Sequence, residues 1–404
     1  MGASHKHETL SVMRDQFDVV IAGGAIVGSA VAYFLAQCAD FKGSVLVVER
    51  DLSFRDCATT RSLASIRHQF STPENVQLSL FGTAFLREAA QRLAVDGEGP
   101  DVAFKEAGYL FLATAQGQAV LGSNHEVQLA QGAQVQLLDQ AQLGARFPWL
   151  NHHDLAAGSL GLAGEGWLDA HALMHGLRRK AVALGAQVCQ AEVVDVVVRS
   201  GRVQAVVLSA GRQVNCGWLI NAAGTGATAL AAKAGLALPV QARKRCVFHF
   251  TSPAQLPHCP LVIDPTGLYF RPEGDGFLCG VAPAEHEDPE SHDFEVPLGW
   301  FEDRLWPALA HRVPGFEAAR LRSAWAGHYD VNLLDHNVIL GPHPALPNLL
   351  FANGFSGHGV QQAPAVGRAL AEWVVWGGYR TLDLTALGWQ RVLSNQPLRE
   401  LNVV

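Results

Sequence analysis

The sequence has no Cys-x-x-Cys pair, no Gly-x-Ser-x-Gly elbow and no His-Glu-x-x-His motif. Zinc held by paired cysteines, an α/β-hydrolase nucleophile and a zincin-type protease therefore have no anchor. The adjacent histidines of NHHD (151–154) do not make a metal site either, because neighbours in sequence seldom converge on one ion. No metal is expected. The seven cysteines, Cys38, Cys57, Cys189, Cys216, Cys246, Cys259 and Cys279, are odd in number and widely spaced, which fits a reducing compartment. Charge is sparse at 17% of residues, with 30 basic against 37 acidic side chains and a net charge of −7. The basic cluster Arg243, Lys244 and Arg245 is only three residues long, so a nucleic-acid partner is not expected. At the start, MGASHKHETLSVMRDQ has acidic residues and no apolar centre. It reads as neither a secretory signal nor a transit peptide, and the expected address is cytoplasmic. Val19 to Ala39 carries no charge, but its glycines and the charged strand end that follows mark strand and helix, not a transmembrane segment.

What is present suits two domains, because 404 residues exceed one compact core. In DVVIAGGAIVGSAVAYFL (18–35) a β-branched run enters a glycine turn and then a helix of small residues. The turn, Gly23, Gly24, Ala25, Ile26, Val27 and Gly28, matches the dinucleotide fingerprint GxGxxG except at its middle position, Ala25. A turn of this kind offers backbone N–H groups and a positive helix end to a pyrophosphate. The strand SVLVVER (44–50) ends in Glu49, about 20 residues after the turn, where an acidic side chain accepts from ribose hydroxyls. These pieces make a βαβ unit. Further along, helices are expected around Asn75 to Leu93 and over 169–186, a strand over 108–115, and two hairpins within 188–224. The last strand of that run ends in a glycine turn and is expected beside the first βαβ. The region 239–320 is richer in proline and aromatics and reads as an antiparallel layer. A loop then leads into an amphipathic helix with Pro364 near its first turn.

Four segments in order, ATTRSLASIRHQFSTPEN (58–75), WLINAAG (218–224), AWAGHYDVNLLDHNVILGP (324–342) and GFSGHG (354–359), resemble the D-amino-acid oxidase and sarcosine oxidase superfamily of flavoproteins. The resemblance implies an α/β fold: a Rossmann-like FAD-binding domain of the glutathione reductase type, with a second, antiparallel-sheet substrate domain. The FAD-binding domain would take 14–90, 152–236 and 322–404, and the substrate domain 91–151 and 237–321. It also implies FAD contacts at Arg50, Arg61, Ser62, Ala223 and Gly224, and at Gly354, Phe355, Ser356, Gly357, His358, Gly359 and Val360. The loop 354–359 would lie over the flavin pyrimidine edge, its N–H groups stabilising negative charge there.

Arg67 matches the arginine that pairs with a substrate carboxylate, so Arg67 and His358 are the implied catalytic residues. Tyr269 and Arg271 are further candidates for carboxylate binding. His68 either assists Arg67 or packs. The position of a flavin-linking cysteine falls on Gly327, which implies non-covalent FAD. That of an oxygen-promoting lysine falls on Leu278, which favours a dehydrogenase over an oxidase. The implied activity is hydride transfer from an amino acid or a secondary or N-methyl amine to flavin N5, giving an imine. The electron acceptor stays open among a quinone, an electron-transfer protein and oxygen. Longer phrases such as RSLASIRHQFSTPENVQLSLF resemble a branch linked to respiratory complex I assembly, so a scaffold with a respiratory-chain protein partner is the alternative. A third reading, a nicotinamide enzyme, would leave the protein colourless.

Overall fold

The computed structural model describes residues 14–401; most of the N-terminal stretch read above for targeting lies outside them. Strand β1 (Gln16–Ala22) is buried from Val19 to Ala22, as a strand covered on both faces must be. It pairs in parallel with β2 (Val45–Glu49) on one side and with Gln213–Asn221 on the other. The sheet continues to Gln187–Gln190 beyond β2, and to Leu346–Asn353 and Ile339–His343 beyond Gln213–Asn221. Between β1 and β2 runs helix α1 (Ile26–Gln37). The return of the chain at Gln213–Asn221 to the flank of β1 is the placement expected from the sequence.

Helix α1 is crossed by the helix Gly359–Trp376, where a Cβ at Gly367 would stand 2.7 Å from the backbone of Ala30. Only glycine admits so close an approach. Pro364 sits in the second turn of that helix, not the first, and its ring nitrogen leaves the carbonyl of Val360 without its helical donor.

A second eight-stranded sheet runs Arg320–Asn332, Val240–Thr251, Gly276–Val281, Leu268–Glu273, Leu261–Ile263, Tyr109–Ala113, Ala157–Gly161, Val135–Asp139. It is antiparallel apart from one parallel pair, Leu261–Ile263 with Tyr109–Ala113. Phe248, Phe250, Phe270, Phe277, Phe301 and Phe316 fill its core. Two strands fall on the other side of the expected divisions: Ala157–Gly161 and Arg320–Asn332 belong to this sheet, whereas the boundaries at 151/152 and 321/322 assign residues 157–161 and 322–332 to the cofactor domain. The reason is register. Arg320–Asn332 pairs with Val240–Thr251 along nearly its whole length, a long-range pairing that no local pattern encodes.

A two-stranded ribbon, Ser65–Ile66 with Gly166–Trp167, immediately precedes Arg67. All seven cysteines are free, and burial pushes the Cys189 thiol up to about 11 and that of Cys216 up to about 12. No helix among the described residues is long and apolar enough to cross a membrane.

Candidate functional site

Both helix starts open on one cleft. Ala25, Ile26 and Val27 from α1 line it together with Gly357, Gly359 and Val360 from the second helix. Neither N-cap residue supplies a side-chain cap and neither first turn holds an acidic residue, so most of the N–H groups at each helix start are left to a ligand. The cleft holds about 140 Å³ and continues into a mouth of about 710 Å³ that shares Gly23, Glu49, Arg50, Ala223 and Thr225 with it. An elongated dinucleotide suits this shape better than a compact ligand.

The turn shows why its glycines are required and why Ala25 is tolerated. Gly23 has φ +102°, and its N–H donates to the Val48 carbonyl at 2.9 Å. A Cβ on Gly28 would lie 1.9 Å from the Gly23 carbonyl oxygen. Ala25 is the N-cap of α1 with φ −67°, an ordinary backbone state for a residue with a side chain. Glu49 lines the cleft, and its Oε2 accepts from Gly24 N–H at 2.7 Å while Oε1 accepts from Asp51 N–H at 2.9 Å. Its carboxylate therefore braces the turn besides facing the ligand space. Glu49→Ala is expected to weaken FAD binding about 10- to 100-fold, the loss of one charge-assisted bond of roughly 1.5–3 kcal/mol. Titration of the apoprotein with FAD checks this; unchanged affinity would remove Glu49 from the site.

Other expected cofactor residues are distributed unevenly. Arg50, Ser62, Ala223, Gly224 and Phe355 line the cleft. Arg61 does not. Its guanidinium pairs with Asp56 at 2.5 Å, donates to the carbonyls of Arg55 and Ala326, and stacks on Phe294. Gly354 supports the loop from behind, its N–H donating to Asp330 Oδ2 at 2.7 Å. Sequence reasoning missed Asp330 and Thr59. Burial raises the Asp330 carboxyl to about 6, and Thr59 Oγ1 accepts from Ile26 N–H at 3.4 Å. Asp330 lies in the AWAGHYD segment already singled out, but nothing in the segment tells it from its neighbours. Gly327 backs onto Arg61, where a Cβ would meet the Arg61 Cβ at 3.0 Å.

A smaller cavity of about 50 Å³ adjoins the cleft at Tyr329 and Gly357, and it gathers Arg67, Tyr269, His358, Ser356, Tyr109 and Gln361. Arg67 is 2% exposed. Its guanidinium stacks on Phe70 at 4.2 Å, donates to the Gln69 carbonyl at 2.9 Å, and meets His358 Nε2 at 2.9 Å. A guanidinium has no acceptor, so Nε2 must accept and the His358 proton sits on Nδ1. Burial first, and then the Arg67 cation, hold the imidazole well below its ordinary pKa. His358 is thus neutral and orients Arg67. Arg271 is not in this cavity: it lies one pleat further on, paired with Glu273 and stacked over Trp167. His68 packs as well, its Nε2 bonded to Thr83 Oγ1 at 2.8 Å.

The segment carrying Arg67 is pinned by Glu165, a fully buried carboxyl that accepts from His68 N–H at 2.8 Å and from Gln69 Nε2 at 2.7 Å. Burial raises its pKa from 4.5 to about 7. The unfolded chain therefore releases this proton first as pH rises, and stability declines between pH 4.5 and 7 by about 3 kcal/mol from this group, levelling off above. In Glu165→Gln that slope should vanish. Denaturation of both proteins between pH 5 and pH 8 tests it, and equal slopes would contradict the assignment.

A family profile described as FAD dependent oxidoreductase matches residues 18–373. FAD-dependent oxidoreductase domain-containing protein 1 of Xenopus laevis is 41% identical over 96% of this chain and 85% of its own. Glycine oxidase of Geobacillus kaustophilus is 27% identical over 90% of this chain and 94% of its own, and its crystal structure superposes with a TM-score of 0.79. L-proline dehydrogenase from P. horikoshii shares the fold, with a TM-score of 0.83 at 23% identity over 95% of this chain and all of its own. With its two helix starts aimed into one long cleft and these relatives along nearly its whole length, the chain belongs to the FAD-dependent oxidoreductase family typified by the D-amino-acid and glycine oxidases.

Proposed function

We propose that the protein oxidises a small amino acid, or a secondary or N-methyl amino acid, to the imine, with non-covalent FAD as hydride acceptor. The observation that carries this reading is the buried, stacked guanidinium of Arg67 in a cavity that opens onto the cofactor cleft. At this depth the guanidinium is held in one orientation by Phe70, the Gln69 carbonyl and His358 and lines the cavity. A carboxylate fits, since a guanidinium binds one through a planar pair of donors. At about 50 Å³ the cavity admits a group of a few water volumes, which limits the substrate to a small side chain. Glycine oxidase, among the relatives, is named for a substrate of this size.

FAD, when bound, supplies the electron sink; the chain supplies orientation and charge. Gly23, Ala25, Ile26 and Glu49 would hold its pyrophosphate and ribose, and the N–H groups from Gly357 to Val360 its ring. Arg67 fixes the carboxylate, His358 holds the plane of Arg67, and Tyr269 and Tyr329 close the walls. Burial keeps both phenols protonated, their pKa values raised above the ordinary range, so they act as neutral hydrogen-bonding groups. No side chain is required as a base if the amine binds neutral. Anaerobic mixing with a panel of small N-methyl and cyclic amino acids is expected to bleach the yellow flavin band with at least one of them. A band unchanged by the whole panel would overturn the reading.

A further inference from the structure

We infer that a second cavity beside the cofactor cleft is the binding site of the electron acceptor, and that this acceptor is a small planar quinone. The inference rests on the oxidoreductase reading, because a cofactor reduced by substrate must be emptied by something. The cavity holds about 460 Å³ and lies between the second sheet and the loop 59–64. It meets the cofactor cleft at Thr59 and Ser62, whereas the Arg67 cavity meets the cleft at Tyr329 and Gly357. The two side cavities share only Leu63. Substrate and acceptor would therefore reach the cofactor past different walls and need not exclude one another.

The lining names the chemistry. Trp167 and Trp325 offer two indole rings, and the Arg271 guanidinium stands 5.0 Å over the ring of Trp167. Flat conjugated ligands stack on such surfaces. The terminal guanidinium nitrogens of Arg271 donate to the carbonyls of Leu63 and Pro272 and to Glu273, which fixes the cation in the cavity wall. Lys105, exposed at the rim, takes part in no ion pair among the described residues. A quinone supplies a carbonyl oxygen for the Lys105 ammonium. As two electrons and two protons pass from the reduced cofactor to the quinone oxygens, giving the hydroquinone and oxidised FAD, Arg271 and Lys105 stabilise the charge that develops. Oxygen needs no cavity of this size.

The test uses the FAD-loaded protein reduced chemically by dithionite without excess, so that it reads the acceptor step even if no amine is oxidised. A short-chain benzoquinone should reoxidise the flavin with a saturating concentration dependence. Ser323→Trp, at an exposed strand position whose new side chain fills the cavity, should raise the half-saturating concentration at least tenfold, and Lys105→Ala should raise it several-fold. Quenching of tryptophan fluorescence in the oxidised protein, a readout independent of turnover, should saturate over the same range and be lost in Ser323→Trp. Reoxidation that stays linear in quinone, or is indifferent to Ser323→Trp, or occurs only with oxygen or an electron-transfer protein, would overturn the assignment.

Discussion

Replacing Arg67 by leucine is expected to lower kcat/KM for the amino acid about a thousandfold while leaving the flavin in place. The size follows from two charge-assisted bonds to one carboxylate, each contributing roughly 1.5–3 kcal/mol, for a total of ~4 kcal/mol. Leucine keeps much of the apolar volume against Phe70 and Phe111, the two rings the guanidinium faces, so the cavity wall should persist. Arg67→Lys retains charge but loses the fork, and the loss should be smaller, on the order of 10- to 100-fold. Steady-state rates alone would not separate poor binding from poor folding. A simple carboxylate that lacks the amine should therefore perturb the flavin spectrum in the parent and fail to do so in Arg67→Leu. If the protein were a flavin-bearing scaffold for respiratory subunits, the substitution would leave its partner binding intact and no amine would bleach the parent either.

The magnitude also depends on how rigidly Arg67 is held. The His358 imidazole, the Gln69 carbonyl and the Phe70 ring fix the plane of the guanidinium, and Glu165 fixes the strand beneath it. A cation kept in place in advance loses little side-chain entropy on binding, so most of the interaction appears as affinity and orientation.

Of this arrangement, the βαβ unit was legible because all its signals are local: a buried run, a glycine turn, a helix of small residues and an acidic strand end within about 30 residues. Arg67, Tyr269 and His358 were legible as candidates through their resemblance to a flavoprotein superfamily, and the structure brings these three to one cavity. Arg271 was not distinguishable from Tyr269 by sequence. The two sit two residues apart on one strand face, and a single step along the strand carries Arg271 into the neighbouring cavity. Tyr109, Gln361 and Asp330 escaped for a different reason. Each is an ordinary member of a strand or helix, and it reaches the site only through pairings between segments far apart in the chain, such as Val240–Thr251 with Arg320–Asn332 and Leu261–Ile263 with Tyr109–Ala113. Nothing in the sequence sets Glu165 apart within its segment, and its burial and hydrogen bonds reveal its role.

The second large effect is expected at Gly23, and it settles how the altered fingerprint works. A Cβ on Gly23 would lie 2.2 Å from the carbonyl oxygen of Ala222, and the residue's φ of +102° is one that side chains rarely adopt. The obstacle is backbone against backbone, so no rotamer change relieves it. To admit even an alanine, the ends of β1 and of Gln213–Asn221 must part at the point where both form the wall of the cleft. Gly23→Ala should therefore cost at least about 3 kcal/mol through strain and overpacking, and the protein should be recovered without flavin. Ala25→Gly, which restores the full GxGxxG, should by contrast shift FAD affinity by less than about threefold, because the backbone at position 25 already suits a residue with a side chain. The contrast between the two is the test. A large gain in affinity from Ala25→Gly would mean that the methyl group of Ala25 stands in the path of the pyrophosphate, and retention of flavin by Gly23→Ala would mean that the strand ends are more yielding than their close approach implies.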